Sequence, residues 1–238
     1  MQSISPQLAN ELNKKYSNKD TLTIIKEIAI EFKGKIVFST SFSVEDQVIT
    51  DMIANVDKSI IIFTIDTGRL FQETYNIMET TMDKYGIEIK TFFPDYKLVE
   101  NMVNEKGINL FYYSVDNRKL CCNVRKKEPL KRALAGMHIW FTGLRKEQSI
   151  TRHNINVIEW EDRYKLIKVN PLADWRETEV WSYIKDKNVP FNSLYRKGYR
   201  SIGCSPCTRA TYPGEDIRAG RWWWEAADNK ECGLHIND

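Results

Sequence analysis

Apolar and polar positions along this chain fall into blocks of two different periods, and the blocks alternate. Over 20–33, "DTLTIIKEIAIEFK", Leu22, Ile25, Ile28, Ala29 and Phe32 recur near the helical period and predict an amphipathic helix. The short apolar run "KIVFS" predicts a strand. It is followed by the hydroxyl-rich "TSFS" and then a helical pattern, "VEDQVITDMIANV", with Ser43 and Asp46 at capping-box spacing. "SIIIFTI" predicts a second buried strand that ends in "DTGR" and leads into a helix over 70–85. "IEIKTFF" predicts a third strand with a helix after it, "HIWFTG" a fourth and "YKLIKVNPL" a fifth. The segment "DWRETEVWSYIKDKN" closes the series as a helix, with Asp174 and Glu177 at capping-box spacing and Val180, Trp181 and Ile184 on one face. Strands alternating with helices predict a parallel, doubly wound α/β sheet. After Pro190 the periodicity ends and Gly, Pro, Arg and Trp become dense, so the last stretch reads as a loop-rich tail.

In open α/β sheets a ligand sits outside the carboxyl ends of the strands. Here those ends carry "STSFS", "DTGR" and "TGLRKEQS". The first offers hydroxyls at Ser39, Thr40, Ser41 and Ser43 beside a helix N-terminus, which suits an oxyanion; the alternative is an ordinary capped helix. Arg145, directly after a strand, either faces the same ligand edge or is a surface cation.

Composition narrows the picture. A chain of 238 residues with 42% hydrophobic content can bury a full core, most simply as one domain with a smaller C-terminal extension. No apolar run reaches the length of about 18 residues that spans a bilayer, and the first twenty residues lack a signal-peptide pattern, so a soluble, cytoplasmic protein with no membrane partner is expected. The net charge of +3 is unevenly spread. Residues 118–132 carry Arg118, Lys119, Arg125, Lys126, Lys127, Lys131 and Arg132 against Glu128 alone. Residues 196–221 carry six cations against Glu215 and Asp216, which leaves the rest of the chain net negative. Positive charge thus collects around the cysteines, which fits an anionic ligand, a nucleic acid or an anionic cluster.

Five cysteines are an odd number for a disulfide framework, so metal binding or catalysis is favoured over bridging. Cys204 and Cys207 in "GCSPC" have C-x-x-C spacing, which serves half a zinc site, a redox dithiol or half an iron–sulfur site. Cys121 and Cys122 are adjacent in a helix predicted over 117–135, where a disulfide between them would be strained. Adjacent ligands are accepted more easily by a bulky cubane than by one tetrahedral ion; structural zinc and buried thiols remain the alternatives. Cys232, in "ECGLH", is the odd one. A lone thiol on a cation-bearing tail reads as a nucleophile, or else as a casual exposed cysteine.

At this point the motifs resemble a known family. "CCNVRKKEPL", "GCSPCTRA", "GEDIRAGRWWWE" and "KECGLH" look like the assimilatory adenylyl-sulfate (APS) reductases, the iron–sulfur branch of the APS/PAPS reductases; "STSFSVEDQV", "IDTGRLFQET" and "TGLRKEQS" match its nucleotide loops. The resemblance runs from about residue 20 to 236. It implies an adenine-nucleotide α-hydrolase-like α/β sandwich with a mostly parallel sheet, a nucleotide-binding domain over 1–190 and a functional extension over 191–238. It implies that Cys232 attacks the sulfur of adenosine 5′-phosphosulfate, that AMP leaves an S-sulfocysteine, and that thioredoxin or a related dithiol releases sulfite. Cys121, Cys122, Cys204 and Cys207 match the ligands of one 4Fe–4S cluster per chain, thought to tune substrate binding through Lys126 and not to donate electrons. Lys126, Arg145, Arg218, Arg221 and His235 match substrate-side positions, as do the loop residues Ser39, Thr40, Ser41, Ser43, Thr67, Gly68 and Arg69. Related ATP pyrophosphatases carry S-G-G-x-D-S; "STSFSVED" lacks the paired glycines, which argues against ATP cleavage. Cluster cysteines favour APS over PAPS, with dual specificity as the alternative. More distant rivals are a PP-loop tRNA-thiolating enzyme and a non-enzymatic iron–sulfur sensor; no nucleic-acid-binding module is visible. A homo-oligomer is left open.

Overall fold

The computed structural model describes residues 4–149 and 152–225. Helices α1 (Pro6–Tyr16) and α2 (Thr21–Glu31) precede strand β1 (Ile36–Ser39) and helix α3 (Val44–Val56). Then come β2 (Ile61–Ile65), α4 (Gln72–Tyr85), β3 (Ile89–Phe92) and α5 (Tyr96–Lys106). Helix α6 (Val115–Cys122), a π-helical turn (Asn123–Lys127) and α7 (Glu128–Leu134) lead to β4 (Ile139–Phe141), β5 (Ile158–Glu161), β6 (Leu166–Val169) and α8 (Glu177–Asp186).

The six strands form one sheet in the order β3-β2-β1-β4-β6-β5. β1 pairs in parallel with β2 and β4, and β4 with β6, while β5 runs antiparallel to β6. Apolar residues fill the central strands on both faces: Val37, Phe38, Ile139, Trp140, Phe141, Leu166, Ile167 and Val169 are all essentially inaccessible. That is the pattern of strands buried on both sides. The connections from β1 and β4 leave in opposite directions along the sheet, so the crevice beyond these two carboxyl ends is its topological switch point.

Four readings from the pattern change. The strand β5 and the helix α1 were not anticipated. β5 is a short edge strand of mixed burial, with Ile158 and Glu161 in and Glu159 and Trp160 half out, so it lacks a clean period of two. The helix expected over 117–135 is interrupted by the π turn. Pro129 has no N–H and its ring would crowd the carbonyl four residues back, and the turn before it widens so that Glu128 N–H bonds to Asn123 O. The α8 cap is not Asp174: the chain enters the helix at Arg176, whose N–H is accepted by Glu179 at 2.8 Å, while Asp174 pairs with Lys146. Ser43 does cap α3, accepting from Asp46 N–H at 3.1 Å, and the Asp46 carboxylate, hydrogen-bonded to the Ser43 side chain, reaches on to Ser41 as well. The expected loop-rich tail holds, among its described residues, 3-10 turns at Ser193–Lys197 and Ser205–Cys207 and a bridge between Thr208 and Arg221.

The chain divides into two compact units: Met1–Thr64, Glu73–Lys90 and Leu134–Ser193 make the first, and Ile65–Gln72, Thr91–Ala133 and Leu194–Asp238 the second. No helix among the described residues is long and apolar enough to cross a membrane.

Candidate functional site

In the first unit the candidate loop follows β1 at the switch point. Ser39 Oγ accepts from Trp140 Nε1 at 2.8 Å, Thr40 Oγ1 accepts from Phe42 N–H at 3.0 Å, and Ser43 Oγ caps α3. The Ser39 and Thr40 hydroxyls are therefore oriented as acceptors, which leaves their protons to donate elsewhere, whereas the Ser43 hydroxyl is also hydrogen-bonded to the Asp46 carboxylate. Ser41 differs, because its N–H and hydroxyl both donate to Asp46 Oδ2, at 2.7 and 2.8 Å. Between them Phe42 sits at φ 59 with its ring 1% exposed, a left-handed conformation that costs a bulky residue about 1–2 kcal/mol. Burial pushes the Asp46 carboxyl up to about 6, with the neighbouring Glu45 charge adding to the rise and the Ser41 hydrogen bonds opposing it. Gly143, beyond β4, makes room for this carboxylate: a Cβ there would lie 2.2 Å from Asp46 Oδ1.

Arg145 is 2% exposed. Its Nε donates to Glu45 Oε1 at 2.9 Å and its Nη1 to Glu147 Oε2 and Trp175 O, both at 3.2 Å. The guanidinium is thus committed to its own unit as the partner of a buried carboxylate.

In the second unit the four remaining cysteines come together. Cys121, Cys204 and Cys207 are buried and Cys122 half-buried, all four are unbridged, and all line one cavity of about 360 Å³ counted out to its open mouth. Arg69, Arg118, Arg125 and Lys126 line it too, with Trp222 on its wall. The C-x-x-C turn is held at each point: Cys207 N–H bonds to Cys204 O at 3.0 Å, Ser205 N–H to Arg69 O at 2.8 Å, and Tyr112 OH to Pro206 O at 2.8 Å. Burial first, and then the neighbouring Cys204 charge, push the Cys207 thiol up to about 12; burial also raises Cys121. Buried thiols held this far from ionisation are poor nucleophiles and suit a cationic centre that takes them as thiolates. No group of three or more His, Cys, Asp or Glu among the described residues is arranged to hold a single metal ion.

The "DTGR" loop belongs to this unit. Asp66 Oδ1 accepts from Gly68 N–H at 2.7 Å, and Gly68 takes φ 70, which only glycine adopts without strain. Thr67 Oγ1 lies 3.2 Å from Cys204 Sγ, and Thr67 O accepts from Arg125 Nη1 at 2.7 Å. Arg69 reaches Ile108 O at 2.7 Å and Asn109 Oδ1 at 3.1 Å, over the Phe111 ring. Around Trp222 of the tail, Arg118 of α6 and the tail residues Arg221 and Arg218 place guanidinium carbons 4.5, 4.7 and 5.9 Å from the ring. Cys232 and His235 lie outside the described residues.

Three contributors were not legible beforehand. Arg118, Thr67 as a neighbour of a cysteine, and Asp46 as the clamp on Ser41 each acquire their role from a partner distant in sequence or a carboxylate turned from its cap. Only Pro129, just after the cation run, could have signalled the π turn.

The model of the phosphoadenosine phosphosulfate reductase domain matches residues 35–210. An adenosine 5′-phosphosulfate reductase of Burkholderia cepacia is 48% identical over 229 residues, covering 96% of this chain and 90% of the relative. One from Allochromatium vinosum is 49% identical, covering 91% and 87%. Among solved structures, the phosphoadenylyl-sulfate reductase of Candida auris, a phosphate complex, superposes with a TM-score of 0.74 at 28% identity, covering 87% of this chain and 99% of that one. An NH3-dependent NAD synthetase of Campylobacter jejuni, at 10% identity and a TM-score of 0.51, covers 84% of this chain and 80% of its own and shares the fold alone. The architecture is that of the adenine-nucleotide α-hydrolase-like sandwiches, and the chain belongs to the phosphoadenosine phosphosulfate reductase family.

Proposed function

We propose that this protein reduces adenosine 5′-phosphosulfate to sulfite and AMP, with Cys232 as the nucleophile. The observation that carries the reading is the convergence of Cys121, Cys122, Cys204 and Cys207 on one cation-lined cavity, which leaves Cys232 as the single cysteine outside that set. In this mechanism the Cys232 thiolate attacks the sulfate sulfur, an S–S bond forms, and the S–O bond breaks with its electron pair leaving on AMP. One thiol of a dithiol of the thioredoxin kind then attacks the Cys232 sulfur and sulfite departs with the S–S electrons; the second thiol attacks the resulting mixed disulfide, Cys232 leaves as the thiolate, and the dithiol is left as a disulfide. Arg218 and Arg221 offset the repulsion between a thiolate and an anionic sulfonyl centre. Ser39 and Thr40 each accept a hydrogen bond within the loop and so keep a hydroxyl proton to give, which supports a seat for a phosphate or sulfate oxygen at the α3 N-terminus.

The cysteine centre fits a 4Fe–4S cluster. Its donor set is four thiols, its cations offset thiolate charge, and Trp222, which lines the cavity, has a buried Nε1 with no hydrogen-bond partner among the described residues, a donor that a cluster sulfide would satisfy. When bound, the cluster supplies an electrostatic centre beside Lys126, while the electrons of the reaction come from the dithiol. Such a dithiol is kept reduced in the cytoplasm, where we place the reaction.

The relatives' names favour APS over its 3′-phosphorylated form. A single-turnover experiment tests this: sulfur-labelled APS or PAPS is mixed with anaerobic protein without reductant. Label from APS that stays on the chain until thioredoxin is added, and is absent in Cys232→Ser, is the expected result. Label from both nucleotides would make the protein a dual-specificity reductase, and label from neither would overturn the reading.

A further inference from the structure

Arg118 and Glu225 form a buried ion pair. Their side chains are 3% and 4% exposed, Arg118 Nε donates to Glu225 Oε1 at 2.8 Å, and the Arg118 guanidinium lies over Trp222. Arg118 stands three positions before Cys121 on α6, so the two side chains leave the same face of that helix. Cys121, Cys204, Cys207 and Trp222 pack in one buried cluster. Glu225 is also the last described residue, and Cys232 follows it by seven positions. Seven extended residues reach at most about 25 Å, so wherever Cys232 acts, it acts within that radius of Glu225.

A buried ion pair contributes little net stability over an apolar pair of similar size, because desolvation offsets most of the attraction. What it does contribute is a defined geometry, since either charge left alone is costly.

We propose that Arg118 and Glu225 are a positioning pair that fixes the root of the Cys232 segment to the helix bearing Cys121 and Cys122. Delivery of the nucleophile is then mechanically linked to the integrity of the cysteine centre through one helical turn and one ion pair. The proposal rests on Cys232 being the nucleophile of the reading above.

The test uses full-length, iron-loaded protein and compares wild type with Arg118→Gln, Glu225→Gln and the double variant. Three quantities are read: AMP affinity, the single-turnover rate of label transfer from APS to Cys232, and the rate of tryptic cleavage after Lys230, seen as loss of residues 231–238 in the intact mass. Each single variant is expected to slow transfer by about tenfold or more. Cleavage after Lys230 should be several-fold faster, while AMP affinity is unchanged, all three quantities being compared on chains matched for iron content. The double variant should be no worse than either single, because both remove one interaction. Wild-type transfer and cleavage rates in both singles would overturn the proposal, and so would effects that add in the double. Should Arg118→Gln fail to fold, Glu225→Gln carries the comparison. Should wild type take no label, the functional reading fails, and the cleavage rates still decide whether the pair anchors this segment.

Discussion

Asp46 receives the backbone N–H and the hydroxyl of Ser41 on the same carboxylate oxygen, at 2.7 and 2.8 Å, so one buried acid holds the turn after β1 in its left-handed shape. Burial is the main reason that its carboxyl is pushed from 3.8 up to about 6. The protonated form is therefore favoured by the fold. Its contribution to stability is fully present below pH 3.8 and is lost as pH rises through about 6. Asp46→Asn keeps an acceptor for Ser41 and removes the ionisation. Its stability should match wild type near pH 4 and exceed it by ~3 kcal/mol near pH 7, taking each pKa unit as ~1.4 kcal/mol. Thermal unfolding at the two pH values checks this, and an offset that is the same at both would contradict it.

Arg145→Met tests whether the cation serves the fold. It leaves Glu45 buried without a partner, which should cost about 3–5 kcal/mol in urea unfolding, and Glu45→Leu in the same chain should recover most of it. Wild-type stability with weakened AMP binding would instead assign Arg145 to the ligand.

Gly203→Ala moves Arg221 without removing its charge. A Cβ at this glycine would lie 2.3 Å from Arg221 Nη2, so the guanidinium must leave its seat on Trp222. APS affinity should fall by about tenfold, the scale of one charge-assisted hydrogen bond. Equilibrium binding at low and moderate salt separates this from Arg218→Ala, which should also flatten the salt dependence. An unchanged affinity in Gly203→Ala would remove Arg221 from the ligand contacts.

Cys207→Ser and Cys121→Ser should each lose iron together with acid-labile sulfide, whereas Cys232→Ser should keep both. Iron and sulfide assays on anaerobically purified protein read this directly. One zinc per chain without sulfide would refute the cluster.

Much of the architecture was legible in the chain because buried parallel strands announce themselves. "KIVFS", "SIIIFTI" and "HIWFTG" are apolar on both faces, and each is followed by the polar loop that ends it. The edge strand Ile158–Glu161 escaped notice because half of it faces outward, and the interruption of the cysteine helix because a π turn has no periodic signature of its own. The convergence of two cysteine pairs 82 positions apart, from Cys122 to Cys204, was anticipated from residue type and spacing; their shared cavity is a matter of the fold.

The sequence by itself determined the alternating α/β order, the strand ends where polar loops gather, the clustering of positive charge at the cysteines, and the motifs that place the chain in its family. These are local properties, set by side-chain period and by neighbours within a few residues. The tertiary structure decided which polar groups are committed to each other: Arg145 to Glu45, Asp46 to Ser41, Arg118 to Glu225. Two of those pairs join residues about a hundred positions apart, and the third turns a helix cap toward a loop. A charge looks the same in the sequence whether water or a buried partner satisfies it. Only folding fixes which, because desolvation makes an unpaired buried charge too costly to keep.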